Sequence, residues 1–473
     1  MNLDELTSIQ FAHVVDGKLS PGERFDSLKD PRTNKLLWNV PVAGDEELQA
    51  AVTAAQIAFP IWSQKPAAER QDILRKLAAL LREDRLLMST IVSRETGKSD
   101  FMGGLEVDHS IGFLEFNASQ DIADEIVHED ESMKIIQTHT PLGIVAAICP
   151  WNFPLVLAVA KIAAALVTGN CIIVKPSPFT PYSILKFAEL ATKIVPAGVF
   201  QALNGDHTLG ASMTTHPGIQ KVSFTGSTTT GKKIMEAASG TLKRVTLELG
   251  GNDATIVCPD VDISKVAPQV AAGCLFNAGQ MCVATKRVYV HESIYREFLD
   301  QLVKAVREYI EQPATAPPIF GPIQNQMQYT IVSDLIEDCK ATGCNILTGQ
   351  NQPANGLYVE PFIVDNPPQD SRIVKEEQFG PIIPVLPWED EEEAIRLAND
   401  TDAGLGACVW AADSTHALSI ARKLEAGSVW INSSEKPHPA GYFSGHKQSG
   451  IGGEWGKQGL LSYCNTQSIH VYK

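Results

Sequence analysis

The sequence has no CxxC pair and no cysteine–histidine cluster with the spacing that zinc requires, so no metal site is expected. Its nine cysteines are odd in number and do not suggest a closed disulfide framework. Cationic residues are in the minority: 39 Lys and Arg stand against 55 Asp and Glu, a formal net charge of −16. Binding to a phosphate backbone needs a basic face, so nucleic acid is not an expected partner. The N-terminus, MNLDELTSIQFAHVVDGK, is acidic early and has no long apolar stretch, unlike a signal or transit peptide. Free thiols without a secretory signal fit a reducing compartment, and a cytoplasmic protein is expected. Internal repeats and low-complexity tracts are also missing.

One apolar run is long enough to test as a bilayer span, FPLVLAVAKIAAALVTGNCIIV at 153–174. Lys161 interrupts it, Gly169-Asn170 is a turn signal, and Pro150 and Pro154 flank its start. The run reads better as a buried helix over 155–168 and a buried strand over 171–175, with no membrane partner.

What is present is organisation. A chain of 473 residues exceeds what one core usually supports, so two or three domains are expected. From Gly143, GIVAAICP, CIIVKP, GVFQALNG, KVSFTG and RVTLELG read as strands with helical patterns between them. Such alternation signals βαβ units, and the fold class is α/β with a parallel sheet. Ligands of such sheets sit beyond the carboxyl ends of the strands, where CPWN, KPSP, NGDHTLG and FTGSTTTG fall. A second block follows, with ATIVC, KRVYVH, GPIIPVL, GACVWAA and GSVWIN as strands. Residues before 113 read as mostly helical. Residues 122–140 and the tail YCNTQSIHVYK fit neither block, and the tail alternates as an edge strand does.

Four motifs carry possible chemistry. GSTTTGK at 226–232 matches the phosphate-loop pattern GxxxxGK, but residue 233 is Lys, not the Ser or Thr that holds magnesium. A Gly-rich turn and helix N-terminus near a ligand phosphate survive as a reading, beside a plain strand–helix turn. In LELGGND, Glu248 is a carboxylate in apolar sequence, either a desolvated general base or a salt-bridged strand end. In CPWNFP, two prolines bracket Asn152, whose amide could face developing negative charge or cap the next helix. In FNAGQMC, Cys282 follows small and polar residues that let a ligand come close; it is a nucleophile or one more buried thiol. A thiol built for attack is expected to favour its thiolate.

Together these motifs resemble the NAD(P)-dependent aldehyde dehydrogenase superfamily over nearly the whole chain. The resemblance rests on PWNFP at 150–154, KPSPFTP at 175–181, FTGSTTTG at 224–231, LELGGN at 247–252, FNAGQMC at 276–282, EEQFGPI at 376–382 and GHKQSG at 445–450. It implies a Rossmann-like cofactor domain (1–113 and 139–247, with 437–460 returning to it) and an α/β catalytic domain (248–436). A small β oligomerisation flap (114–138 and 461–473) completes the fold, in a homodimer or homotetramer. It implies Cys282 as nucleophile, Glu248 as base, and the Asn152 amide with the Cys282 backbone N–H as oxyanion donors. NAD, with NADP possible, would lie along Ile148, Pro150, Trp151, Lys175, Ser177, Gly205, Phe224, Gly226, Ser227, Thr230, Leu249, Glu377 and Phe379. Within that set Lys175 would contact the adenine ribose, Gly226 and Ser227 the pyrophosphate, Glu377 the nicotinamide ribose and Phe379 the nicotinamide. The aldehyde would pass Phe153, Leu157, Met281, Val283 and Phe443.

The implied reaction oxidises an aldehyde to a carboxylate through a thioester that water cleaves. A coenzyme A-acylating enzyme, a phosphate-loop nucleotide hydrolase and a non-catalytic member are the alternatives. The chain departs from the family pattern at Pro178, where a ribose-binding Glu is common. It also departs at Ser444, and at Gly453, where Arg is usual. Ala160 replaces a bulky aromatic, which implies a roomier tunnel, and SSEKPHPAGYF at 433–443 aligns with the substrate-entry loop.

Overall fold

The computed structural model describes residues 9–311, 319–349 and 356–473. The first eight residues of the N-terminal stretch discussed above lie outside them. Two large sheets and two small ones, of three and two strands, organise the described residues.

The first sheet has eight strands. Ile144–Ile148, Cys171–Lys175, Phe200–Ala202, Lys221–Thr225 and Arg244–Glu248 form its parallel centre. Ile144–Ile148, Cys171–Lys175 and Lys221–Thr225 are buried along their whole length, which is why they read as unbroken apolar runs rather than alternating ones. Gly450–Ile451 returns from the far end of the chain and pairs antiparallel with Arg244–Glu248.

The run tested as a membrane span divides into the helix Pro154–Val167 and the strand Cys171–Lys175. Gly169, at φ +88°, makes the reversal, and Asn170 fixes it by accepting from Gly143 N at 2.8 Å. Among the described residues no helix is long and apolar enough to cross a membrane.

The N-terminal region is mostly helical, as expected, but it begins with strands that the sequence reading did not anticipate. The helices Asp45–Trp62, Ala67–Glu83, Arg85–Thr96 and Asp100–Ala118 are preceded by four strands between His13 and Pro41. The first pair, His13–Val15 and Lys18–Ser20, is a hairpin closed by Asp16 (φ 52°) and Gly17 (φ 68°). Asp-Gly is the turn that gives this geometry, so the signal was in the sequence and was masked by the helical pattern after it.

The second sheet has seven strands, parallel except at Asn345–Ile346. Ala254–Val257 lies between Arg287–His291 and Gly406–Trp410. Separate apolar clusters cover its two faces. The third sheet pairs Glu125–Glu129, Met133–Pro141 and Cys464–Tyr472, the last running in register from Cys464 opposite Pro141 to Tyr472 opposite Met133. Residues 114–118 still belong to the helix Asp100–Ala118, so the small sheet begins later in the chain than the flap outlined from sequence.

Candidate active site

Cys282 stands at the end of a backbone held in an unusual shape. The helix Ile263–Leu275 gives way to a tight turn in which Asn277, Ala278 and Gly279 have φ of 52°, 55° and 73°. Three successive left-handed residues are costly for all but glycine and persist only where neighbours dictate them. At Gly279 a Cβ would collide with the Gly380 carbonyl, so the turn lies directly on the GPI segment of the second sheet. The polar residues of FNAGQ supply the bonds that hold it. Asn277 Nδ2 donates to Gln280 O at 3.1 Å, and Gln280 Nε2 donates to Pro322 O at 3.1 Å.

Asn152 joins this loop from the other unit. It is buried, and its Nδ2 donates to Gln280 O at 3.1 Å. The capping alternative fails here: Phe153 is the residue before the first helical turn, and Glu106 satisfies its amides instead. Glu106 Oε1 accepts from Leu155 N at 2.9 Å and Val156 N at 3.3 Å, while its Oε2 pairs with buried Lys98 at 2.5 Å. Asn152 is thereby released from capping and has a second N–H to offer.

Sequence reasoning missed Lys286. Its ammonium is buried and donates to Met281 O at 3.0 Å, Cys282 O at 2.6 Å and Ala284 O at 3.2 Å, with Glu377 Oε1 at 3.8 Å. A lysine four residues after the cysteine, at the entry to a buried strand, was the available signal. Lys286 favours a Cys282 thiolate, but burial acts more strongly. Together with the charges of Asp253, Glu377 and Glu248 it pushes the thiol up to about 12. This environment disfavours the resting thiolate expected from the sequence.

Glu248 ends its strand inside the protein, 3% exposed, and neither carboxylate oxygen has a hydrogen-bond partner among the described residues. Among the described residues it forms no ion pair of the kind the salt-bridged reading requires. Burial raises its pKa well above the usual carboxylate range; Glu454 raises it further and Lys161 opposes. Lys161 and Glu454, also missed from sequence, form a buried pair at 2.6 Å, with Lys161 also donating to Ser223 Oγ at 3.0 Å.

The residues assigned to a cofactor fall into neighbouring groups. Lys175 is buried, and its nearest acceptor is Pro176 O at 3.4 Å. Desolvation lowers its pKa to about 8, with Asp206 opposing. Ser177 is buried beside it in the chain, and Gly205 precedes Asp206, the cap of the helix His207–Thr215. At Gly226 a Cβ would lie 2.5 Å from the Phe224 ring, so only glycine leaves the turn open to a ligand. Ser227 caps the twelve-residue helix Thr228–Ser239 by accepting from Thr230 N at 3.3 Å. Lys232 and Lys233 are exposed. Ile148 and Leu249 are buried at the strand ends behind this turn. Glu377 Oε1 accepts from Gly251 N at 3.1 Å, and a cleft of about 450 Å³ runs past Thr228, Gly250, Glu377 and Gln448. Phe379, at φ 47°, meets Trp151 edge-on at 5.4 Å, next to Pro150. A buried cation that forms no ion pair among the described residues, a glycine turn and a solvent-exposed helix N-terminus together suit a dinucleotide diphosphate.

The substrate residues divide into two clusters. Met281 and Cys282 pack against Val283, Leu405 and Phe443. Phe153 and Leu157 pack against Phe113, Val156 and Ala160. Trp455, absent from the sequence reading, belongs to both, and with Phe113 it covers Ala160. The ring thus packs beside Ala160, where the sequence implied a roomier tunnel. In the entry loop Glu435 turns inward and accepts from Thr285 Oγ1 at 2.6 Å and the Cys408 thiol at 3.2 Å. At Gly453 the space of a side chain is taken by the Tyr442 ring. Among the described residues no group of three or more His, Cys, Asp or Glu is placed to hold a metal.

A family model described as the aldehyde dehydrogenase family matches residues 20–469. Among curated proteins, aldehyde dehydrogenase LUC3 of a Fusarium species is 40% identical over 466 residues, covering 98% of this chain and 99% of the relative. The peroxisomal aminoaldehyde dehydrogenase 1 of Pisum sativum is 36% identical over 462 residues, covering 94% and 92%. Among solved structures, an NAD+ complex of aldehyde dehydrogenase from Bacillus cereus superposes with a TM-score of 0.94 at 32% identity, covering 99% of this chain and 98% of the other.

Of the nine cysteines only Cys282 and Cys344 are not buried. Iodoacetamide applied to the native protein is expected to modify these two, with the other seven protected until unfolding. Peptide mass mapping checks this, and early modification of Cys258 or Cys274 would mean that the site is not accessible as described.

Proposed function

The chain belongs to the aldehyde dehydrogenase family, and from that premise we propose how its residues divide the work. It is an enzyme that oxidises an aldehyde to a carboxylate with NAD(P)+ and water. The nucleotide-hydrolase and acylating alternatives are not favoured. The observation that carries the residue assignment is the convergence of three groups from different segments. Asn152 bonds the loop that ends in Cys282, and the unpartnered carboxylate of Glu248 is near enough for its charge to raise the thiol.

An aldehyde carbon does not readily release hydride while it is trigonal. Cys282 Sγ adds to it, the thiol proton leaving to solvent in the cleft, and the carbonyl oxygen becomes an alkoxide. The free N–H of the Asn152 amide and the Cys282 backbone N–H donate to that oxygen where its charge develops. The bound nicotinamide supplies the hydride acceptor. Collapse of the alkoxide expels hydride and leaves a thioester on Cys282. Glu248, in its carboxylate form, then takes a proton from water, whose oxygen attacks the thioester carbon; the C–S bond breaks, the Cys282 sulfur regains a proton, and the carboxylic acid leaves. Two protons are released overall with the reduced cofactor.

For cofactor binding, Lys175 serves the adenine ribose, Gly226 and Ser227 the pyrophosphate, and Glu377 the nicotinamide ribose. Phe379 and Trp151 pack beside the nicotinamide. Pro178 removes a 2′-hydroxyl acceptor without adding a positive charge, so both cofactors are used with NAD modestly preferred. The first unit is the cofactor domain and the second the catalytic domain. The small sheet is the oligomerisation flap of a homodimer or homotetramer. Its outer strands expose Ile126 (53%), Val127 (48%), Val471 (45%) and Tyr472 (76%), apolar surface that a second subunit would cover. Nine free cysteines suit the cytoplasm.

Three measurements test these assignments. Replacing Glu248 by Gln is expected to lower turnover by roughly 10²–10⁴. A rapid first phase of up to about one equivalent of reduced cofactor per site should survive, because deacylation is the step that needs the base. Intact mass should then show an acyl adduct on Cys282; loss of both burst and adduct would place Glu248 earlier or elsewhere. The pH profile of kcat should have its acid limb above the ordinary carboxylate range, since the raised pKa of Glu248 leaves the base form present only above it. Glu454→Gln removes the like charge and leaves Lys161 opposite, so that limb should move to lower pH; a limb that stays or moves up contradicts the arrangement. Deleting 462–473 should give monomers or aggregate in sedimentation, and an unchanged, monodisperse oligomer would refute the flap.

A further inference from the structure

Trp455 is held in a backbone conformation that belongs to glycine, with φ 62° and ψ 173°. Its neighbours impose it. Glu454 N donates to Phe443 O at 2.8 Å and receives the reciprocal bond from Phe443 N at 2.8 Å, and its carboxylate is tied to Lys161. On the other side Gly456 N donates to Pro439 O at 2.9 Å. Between these fixed points the indole is driven inward. It meets Phe113 at 5.0 Å and 54°, and Phe443 at 4.5 Å and 35°.

That placement makes Trp455 the one described residue shared by the apolar cluster around Ala160 and the cluster that holds Cys282. The side chain is only half-buried, so part of the ring remains available to a ligand. Ala160 contributes a methyl group where the ring presses in. The space beside Ala160 is therefore filled by a residue nearly 300 positions away in the chain. The remaining walls, Phe113, Phe153, Leu157 and Met281, carry no charge, and the Glu435 carboxylate is turned away into its own bonds.

We infer that Trp455 is the specificity-determining residue of this enzyme. Its indole narrows the tunnel so that unbranched, uncharged aldehydes are selected over bulky aryl aldehydes. The inference rests on Cys282 being the reacting centre, as proposed above.

The test uses Trp455→Gly, because glycine adopts the observed φ and ψ without strain and removes only the ring. Two ratios are measured on the full-length enzyme. One is kcat/KM with NAD for 2-naphthaldehyde over hexanal. The other needs no turnover: the rate of Cys282 modification by N-(1-pyrenyl)maleimide over that by iodoacetamide. Trp455→Gly should raise both ratios by about tenfold or more, the range expected when a pocket wall is removed. Trp455→Phe should give intermediate ratios, and Ala160→Trp added to Trp455→Gly should bring both back toward the parent. If Trp455→Gly changes both substrates and both reagents by the same factor, the ring is merely structural and the inference falls. If the modification ratio rises although neither aldehyde is oxidised by the parent, the reaction assignment fails while the wall stands. Oxidation with no change in either ratio has the opposite meaning.

Discussion

The Lys286 ammonium is the charge around which the candidate site is folded. Three carbonyls of the Cys282 loop turn toward it, and Glu377 faces it from the second sheet. A cation taken out of water costs several kcal/mol unless it is paired and bonded, so the loop is obliged to wrap it. Wrapping it fixes the direction of the Cys282 carbonyl and with it the position of the thiol. The same ammonium anchors Glu377, whose other contact, Gly251 N, belongs to the segment that starts at Glu248. Thus one buried charge sets the relation between the thiol, the cofactor cleft and the strand that carries the base.

Four of the ten described non-glycine residues with positive φ lie around this centre. Asn277, Ala278, Phe379 and Trp455 all have positive φ, and all lie in the site or its walls. Such conformations cost of order 1–3 kcal/mol each, and they survive because neighbouring hydrogen bonds and close packing leave no alternative. Rigidity at these points keeps the reacting groups in place without rearrangement during the reaction, which is the condition for electrostatic stabilisation to be effective.

Burial also decides protonation. Glu248, Glu377 and the Cys282 thiol are all shifted toward their neutral forms, chiefly by desolvation. The Lys161–Glu454 pair beside Glu248 contributes both signs, so the base is neither locked as an anion nor left without a counter-charge.

Much of this was legible in the sequence because the signals are local. Apolar runs at strand length gave the parallel sheet, and Pro150, Gly226 and the FNAGQ turn need no partner to announce themselves. Glu248, Asn152 and Cys282 were recognisable by residue type within fixed short motifs. Lys161, Lys286 and Glu454 were not, because a lysine or glutamate in apolar sequence shows its purpose only when the opposite charge is brought beside it. The Asp-Gly hairpin was visible but was outweighed by the helices that follow. Trp455 and Ala160 lie nearly 300 residues apart, and only their packing in one wall tells that the small residue does not widen the tunnel. The sequence by itself determined the elements and the reacting residue types, since these follow from local backbone and side-chain chemistry. The tertiary structure decided the protonation of those residues and the shape of their pocket, because desolvation and packing depend on everything that surrounds a group and not on its neighbours in the chain.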